Sequence, residues 1–429
     1  MENVINTHQI DHICTDIETF KDYFLEHNYN ANMFNSDGTL NKNYNSFKKT
    51  GLIAQIFEDH WNNIPFDEKQ VILKNRPNAD KEIQKIIDCH NKNLGGSVYE
   101  CPSCHDFVFI GHTCKSRLCS SCGYKYKLLR VENIMNTAYN CKHRQIVFTF
   151  AKELWAYFFH PFEEMINLLF EAVSQTIYSI LNDTYKSKKG KKKKKYSKRI
   201  KYTPGFFAFL HTFGRDLKWH PHIHVLIAEI KLGGDMIYIN WNYFNYDALS
   251  KRFQKILLDL MNKKLGKSFD SLKTKLFNKY NKGFYVYAEP KKFPNFKAGV
   301  EYVTRYCGRC AISENRIISY DSTNVTFCYN DHKDNEYHEI TVTAIEFIKI
   351  LLRHLIPYNF KIIRYYGFYR KKHQNHDKMV KMIDEAKKAI KKQFLKHRLC
   401  LLKFFNRDPY ECPKCGTIME YAFEIIKGG

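Results

Sequence analysis

Three histidines alternate with other residues in WHPHIHVLIAEI, so an extended strand there turns His220, His222 and His224 to one face and Ile223, Val225 and Ile227 to the other. Neutral imidazole is the commonest metal-binding side chain, and two of them at i and i+2 on a rigid strand reach one ion about 2 Å from each nitrogen. His211 lies on the preceding strand-like run, where antiparallel pairing brings it toward the pair to complete the coordination; Gln145, on an earlier strand, is a weaker candidate for the same place. An ion with only two or three protein ligands keeps open positions for substrate oxygens, which suits Lewis-acid catalysis rather than structure. The plain alternative is a polar sheet face on which histidines happen to alternate.

A second constellation is EYVTRYCGR, where Tyr302 and Tyr306 stand four apart in a helical pattern and so lie one turn apart on one face. Tyrosine, with a pKa near 10, is a poor nucleophile at neutral pH, but it attacks a phosphodiester polarised by a metal and leaves a covalent phosphotyrosine. Arg305 and Arg309 are placed to hold phosphates. Among 29 tyrosines such a spacing also arises by chance, so alone it is a weak signal.

The third is a run of cysteines: Cys101, Cys104, Cys114, Cys119 and Cys122. Two CxxC knuckles fit a tetrahedral zinc ribbon, in which four thiolates and the ion stabilise a segment too small for a core. The expected ligands are Cys101, Cys104, Cys119 and Cys122, with Cys114 able to replace one of them and His90, His105 and His112 as further candidates. Arg117, Lys125 and Lys127, with Lys115 and Arg130, are interleaved with Tyr124 and Tyr126, a mixture suited to phosphate contact and base stacking or simply to a solvated basic face. Near the carboxy terminus, Cys412 and Cys415 offer only half a zinc site, which could recruit Cys400 or a histidine, pair with another chain, or do nothing; Cys307 and Cys310 read as incidental.

The elements that must position these groups belong to a chain of 429 residues and 51.1 kDa, with 44% hydrophobic residues, which excludes a disordered or collagen-like polymer. Sixty-eight Lys and Arg against 44 Asp and Glu give a net charge of +24 and a pI near 9.3, so a polyanion, nucleic acid first, is the expected partner. No apolar run approaches the roughly 20 residues that span a bilayer. The amino terminus lacks a secretory pattern, so the expectation is a cytoplasmic protein with reduced thiols and no membrane partner.

Amphipathic patterns predict a helical region over 1–95 and a zinc-binding segment over 96–140. From 141 to 310 the order is a strand at 145–150, a helix at 153–181, strands at 206–213 and 222–230, a helix at 248–265, a strand at 284–288, then a helix at 297–306. That β, α, β, β, α, β order is the order of a ferredoxin-like antiparallel sheet, and the chain is α+β. The Lys-rich stretch 186–199 reads as a mobile insertion. Residues 311–429 form a basic carboxy-terminal region with further β-like runs, a helix at 345–354 and a basic helical tail at 376–405.

HxH on a central strand followed by a tyrosine helix resembles the HUH endonucleases. More closely, LHTFGRDLKWHPHIHVLIAEI, ALSKRFQKIL, VEYVTRYCGRCAISENRI, VTFCYNDHKD and IRYYGF, in that order, resemble the two-tyrosine transposases of the IS91-like family; CKSRLCSSC resembles that family's amino-terminal zinc-binding domain, with Leu118 where a histidine is common. The resemblance implies that His222 and His224 hold magnesium or manganese, that His211 is the third ligand, and that Tyr302 and Tyr306 are the nucleophiles. It further implies cleavage of single-stranded transposon ends through a 5′-phosphotyrosine with a free 3′-OH, structural zinc, and work at the nucleoid of a bacterial or archaeal cell. No GxxxxGK[ST] loop occurs, which leaves unwinding to host helicase or replication proteins; a homo-oligomer stays open. The alternatives are an HUH plasmid replication initiator or relaxase, and a zinc-dependent nucleic-acid-binding protein without catalysis.

Overall fold

The computed structural model describes residues 13–14, 51–139, 141–182, 202–233, 238–241, 244–287, 300, 311–331, 334, 336–370 and 408–426. The protein is α+β with antiparallel sheets. A two-residue strand, β1 (Ile13–Cys14), is followed by three short helices, α1 (Leu52–His60), α2 (Phe66–Asn75) and α3 (Ala79–Ile87). The hairpin β2 (Gly96–Glu100) and β3 (Phe107–Gly111) leads into α4 (Ser120–Thr137).

The central sheet is built by β4 (His143–Phe148), β5 (Thr203–Phe213), β6 (Trp219–Leu232), the three-residue β7 (Tyr238–Asn240) and β8 (Val286–Tyr287). Helix α5 (Phe162–Leu181) connects β4 to β5, and α6 (Tyr246–Leu265) with α7 (Asp270–Lys279) connects β7 to β8. A further hairpin sheet follows, β9 (Ile317–Tyr320), β10 (Asn324–Asn330) and β11 (Tyr337–Thr343), then α8 (Ala344–Leu352), β12 (Ile363–Gly367) and finally β13 (Glu420–Ile425).

The central strands stand side by side as β8, β4, β6, β5, all antiparallel, with β12 added outside β5. Taken as the first to fourth strands of the βαββαβ unit, that is the order 4-1-3-2 of a ferredoxin-like sheet. Its two faces differ in chemistry. Ile223, Val225 and Ile227 face α5 and α6, where Phe148 meets Phe253 edge to face at 5.1 Å; His211, His222 and His224 lie on the opposite face. The apolar face is fully buried, which supplies most of the force that holds the sheet rigid.

One element differs from the sequence expectation. The helical pattern expected to run unbroken over 153–181 is a 3₁₀ segment, Lys152–Phe158, followed by α5, because Pro161 cannot donate an amide hydrogen and its ring excludes a helical His160. Away from the central sheet, β9, β10, β11 and α8 share one core with α1 and α3, and Arg76 of the amino-terminal part, 2% exposed, donates to the Arg353 carbonyl at 2.8 Å. The stretches at 186–199, 297–299, 301–306 and 376–405 lie outside the described residues.

Candidate catalytic and metal centres

The hairpin of β5 and β6 sets the histidines. In its register His211 is directly opposite His222, and His224 is opposite Phe209 on one side and Val147 of β4 on the other. Opposite and alternate residues share a face, so the three imidazoles converge at the middle of the sheet, all buried. Their candidate ligand nitrogens all lie within 4.8 Å of one another. His211 Nδ1 is 3.3 Å from His222 Nε2.

Hydrogen bonds orient the group. His222 Nδ1 donates to the His220 carbonyl at 2.7 Å, which leaves Nε2 with its lone pair. The side-chain amide of Gln145 on β4 meets His224 Nδ1 at 3.0 Å. Burial, reinforced by His224 and His220, holds His222 well below its ordinary value of 6.5, and burial followed by His220 brings His224 to about 4. Both rings are therefore neutral at pH 7, the form in which imidazole binds a metal. His220 sits on the same strand, but its ring lies over Trp155 at 4.4 Å; His211, not His220, joins the other two. The donor set of three buried, converging imidazoles fits a divalent ion.

Tyr302, Tyr306, Arg305 and Arg309, with Cys307 and Cys310, lie outside the described residues; Val300 just before them is fully buried in the core of the central sheet. Arg117 and Leu118 line a small void with Leu210, Thr212, Phe213 and His354, so the cysteine loop abuts the strand that carries His211. Lys127 and Arg130 on α4 lie over the rings of Tyr124 and Tyr126 at 5.7 and 4.6 Å, and Tyr124 is 41% exposed. Lys125 is half-buried on the same helix.

The cysteines divide differently from the single set expected. Cys114, Cys119 and Cys122 gather with Cys89, which follows α3, whereas Cys101 and Cys104 in the β2–β3 turn lie with Cys412 and Cys415. The reason is the hairpin: its strands, paired along their full length, carry Cys101 and Cys104 to its tip while Cys89 and Cys114 flank its base. In the first group the sulfurs stand 3.5 Å (Cys114 and Cys122), 3.6 Å (Cys89 and Cys122) and 3.8 Å (Cys89 and Cys119) apart. Four sulfurs about 2.3 Å from a tetrahedral zinc would be roughly 3.8 Å from each other, so the group fits that ion. Hydrogen bonding with Cys119 drives the Cys114 thiol up, while hydrogen bonding with Cys114 draws Cys119 and Cys122 down, as befits crowded thiols that share protons.

Cys89 escapes the sequence reading because no second cysteine stands three residues away. The clue was the odd fifth cysteine, Cys114, which needs a fourth partner once Cys101 and Cys104 are assigned elsewhere. His90, His105 and His112 are in neither group: His105 pairs with Glu100 at 3.1 Å, His112 with Glu424 at 3.2 Å, and His90 takes a left-handed φ of 62° as its N–H donates to His112. Leu118 is buried beside Cys119, so this position fills with hydrocarbon.

Two families match the chain. Residues 56–150 match the family described as "Transposase zinc-binding domain", which spans the first cysteine group, and residues 205–377 match "Putative transposase", which spans the histidine hairpin. A zinc-binding amino-terminal module ahead of a transposase domain defines the class: a DNA transposase with structural zinc. The two matches and the relatives support an IS91-like transposase family with an amino-terminal zinc-binding domain. It is 26% identical to the "Transposase for insertion sequence element IS801" of Pseudomonas savastanoi pv. phaseolicola, over 80% of this chain and 83% of that one. It is 27% identical to the "Putative transposase y4qJ" of Sinorhizobium fredii, over 68% and 74%. No solved structure matches. Among the described residues no helix is long and apolar enough to cross a membrane.

Proposed function

We propose that this transposase cleaves and rejoins single-stranded DNA at transposon ends through a 5′-phosphotyrosine, with Tyr302 and Tyr306 as nucleophiles. The observation that carries the reading is the buried convergence of His211, His222 and His224 on the central strands of a ferredoxin-like sheet. These residues would hold magnesium or manganese, which supplies charge neutralisation and polarisation at the scissile phosphate. Gln145, whose side-chain amide meets His224 Nδ1 at 3.0 Å, would orient that ring as a ligand.

In the cleavage step the tyrosine hydroxyl gives up its proton and its oxygen bonds to phosphorus. The bond from phosphorus to the 3′ oxygen breaks, and that oxygen takes up a proton to leave a 3′-OH. Strand transfer is the reverse, with a 3′-OH attacking the phosphotyrosine. Two tyrosines allow two such exchanges without release of the DNA. Arg305 and Arg309 would hold flanking phosphates, and Arg117, Lys125 and Lys127, beside the exposed Tyr124, would take the strand as it leaves. The similarity to a relative named for an insertion sequence supports transposition over plasmid replication as the setting of this chemistry.

The test mixes the protein with single-stranded oligonucleotides covering the element ends, in manganese or in EDTA, on a denaturing gel. The reading predicts a covalent protein–DNA band in manganese alone, lost in His222→Ala. Binding without a band in any metal, on ends of known sequence, would sink it.

A further inference from the structure

Cys412 and Cys415 lie outside both matched families, yet they are brought to the tip of the β2–β3 hairpin. The two knuckles have the same build. Cys101 N–H donates to the Asp106 carbonyl at 2.8 Å and His105 N–H to the Cys101 carbonyl at 2.9 Å; Cys412 N–H donates to Thr417 at 2.8 Å and Gly416 N–H to Cys412 at 2.9 Å. The residue after each second cysteine is left-handed, φ 53° at His105 and 75° at Gly416. Each turn thus points both sulfurs inward.

The sulfurs meet across the pair: Cys101 to Cys415 at 3.4 Å, Cys104 to Cys412 at 3.6 Å, Cys104 to Cys415 at 3.7 Å. These separations are far beyond a disulfide bond of about 2.05 Å and close to the roughly 3.8 Å edge of a tetrahedral zinc thiolate site. Strand β13 pairs with β2 from Glu420 opposite Glu100 to Ile425 opposite Gly96, and Lys414 reaches Asp106 at 2.9 Å. The apolar contribution is small: Val108 and Met419 are the buried non-cysteine members of the cluster here. Such a core is too small to hold two remote chain segments without a further link.

We propose that Cys101, Cys104, Cys412 and Cys415 bind a second structural zinc ion, which staples the carboxy-terminal strand to the amino-terminal hairpin. Binding displaces the thiol protons and leaves four thiolates on the ion. One consequence is topological. The staple ties β13, remote in sequence, to β2 at the start of the zinc-binding hairpin.

The experiment measures metal content of the full-length protein and maps its thiols by alkylation and mass spectrometry, with and without a chelator. Cys104 and Cys415 are exposed, so burial alone would not shield them. The expected result is two zinc ions per chain, one in the Cys412→Ser, Cys415→Ser double variant, and alkylation of Cys104 and Cys415 in the wild type at least tenfold slower before chelation than after. One zinc in the wild type, two in the double variant, or rapid alkylation of Cys104 and Cys415 regardless of chelator would each overturn the second site. Because these readouts involve no DNA, they stand apart from the strand-transfer reading.

Discussion

At the scale of single residues, the histidine centre depends on neighbours that hold rings rather than touch substrate. Removing a second-layer hydrogen bond to a metal ligand commonly costs about 10- to 100-fold in metal affinity. Gln145→Leu, which keeps the volume and loses the amide next to His224, should weaken manganese binding by about that factor in a calorimetric titration. Unchanged affinity would remove Gln145 from the site. Away from the centre, burial brings His143 and His354 to about 4, below the 6.5 of an exposed imidazole. Between those values the unfolded chain binds more protons than the folded one, so stability is complete above pH 6.5 and declines as pH falls toward 4. Thermal unfolding followed across that range should show the midpoint dropping with pH; a flat profile would contradict the burial argument. The alternation of His222 and His224 could be read directly, since period two is a property of any strand. The two cysteine groups could not, since Cys101 and Cys412 are joined by tertiary pairing and no local pattern encodes it.

At the scale of elements, β12 completes the outer edge of the sheet beside the strand that carries His211, and Gly367 ends it. Its φ is 59°, and a β-carbon there would lie 1.6 Å from the Pro204 carbonyl oxygen. Gly367→Ala should therefore cost at least about 1–3 kcal/mol in denaturant unfolding, the backbone strain alone, and more if β12 detaches from β5. A neutral result would mean that the strand end is not fixed as described. The strand order of the central sheet was legible because each strand carries its own hydrophobic run and the βαββαβ order admits few topologies. Less legible was the partnership of α1 and α3 with α8 and β9–β11: Ile53 N–H, which donates to Glu314 at 3.4 Å, and Arg76, which donates to the Arg353 carbonyl at 2.8 Å, bind segments 261 and 277 residues apart through contacts that have no period.

At the scale of the whole molecule, the net charge of +24 acts before any site does. It draws DNA in and makes binding a matter of counterion release. Affinity for a single-stranded oligonucleotide in EDTA should fall by about tenfold or more as salt rises from about 0.05 to about 0.2 M, measured by fluorescence anisotropy. Insensitivity to salt would mean that few phosphates are neutralised and that charge is not the means of capture. What the charge cannot supply is chemistry, which the account assigns to three imidazoles and two tyrosines. The most direct measurement is to isolate the covalent adduct formed with manganese, digest it, and identify by mass spectrometry the residue that carries the nucleotide. A 5′-phosphate is expected on Tyr302 or Tyr306 and on neither His nor Ser; an adduct on any other of the 29 tyrosines, or one that forms equally well in EDTA, would contradict this chemistry.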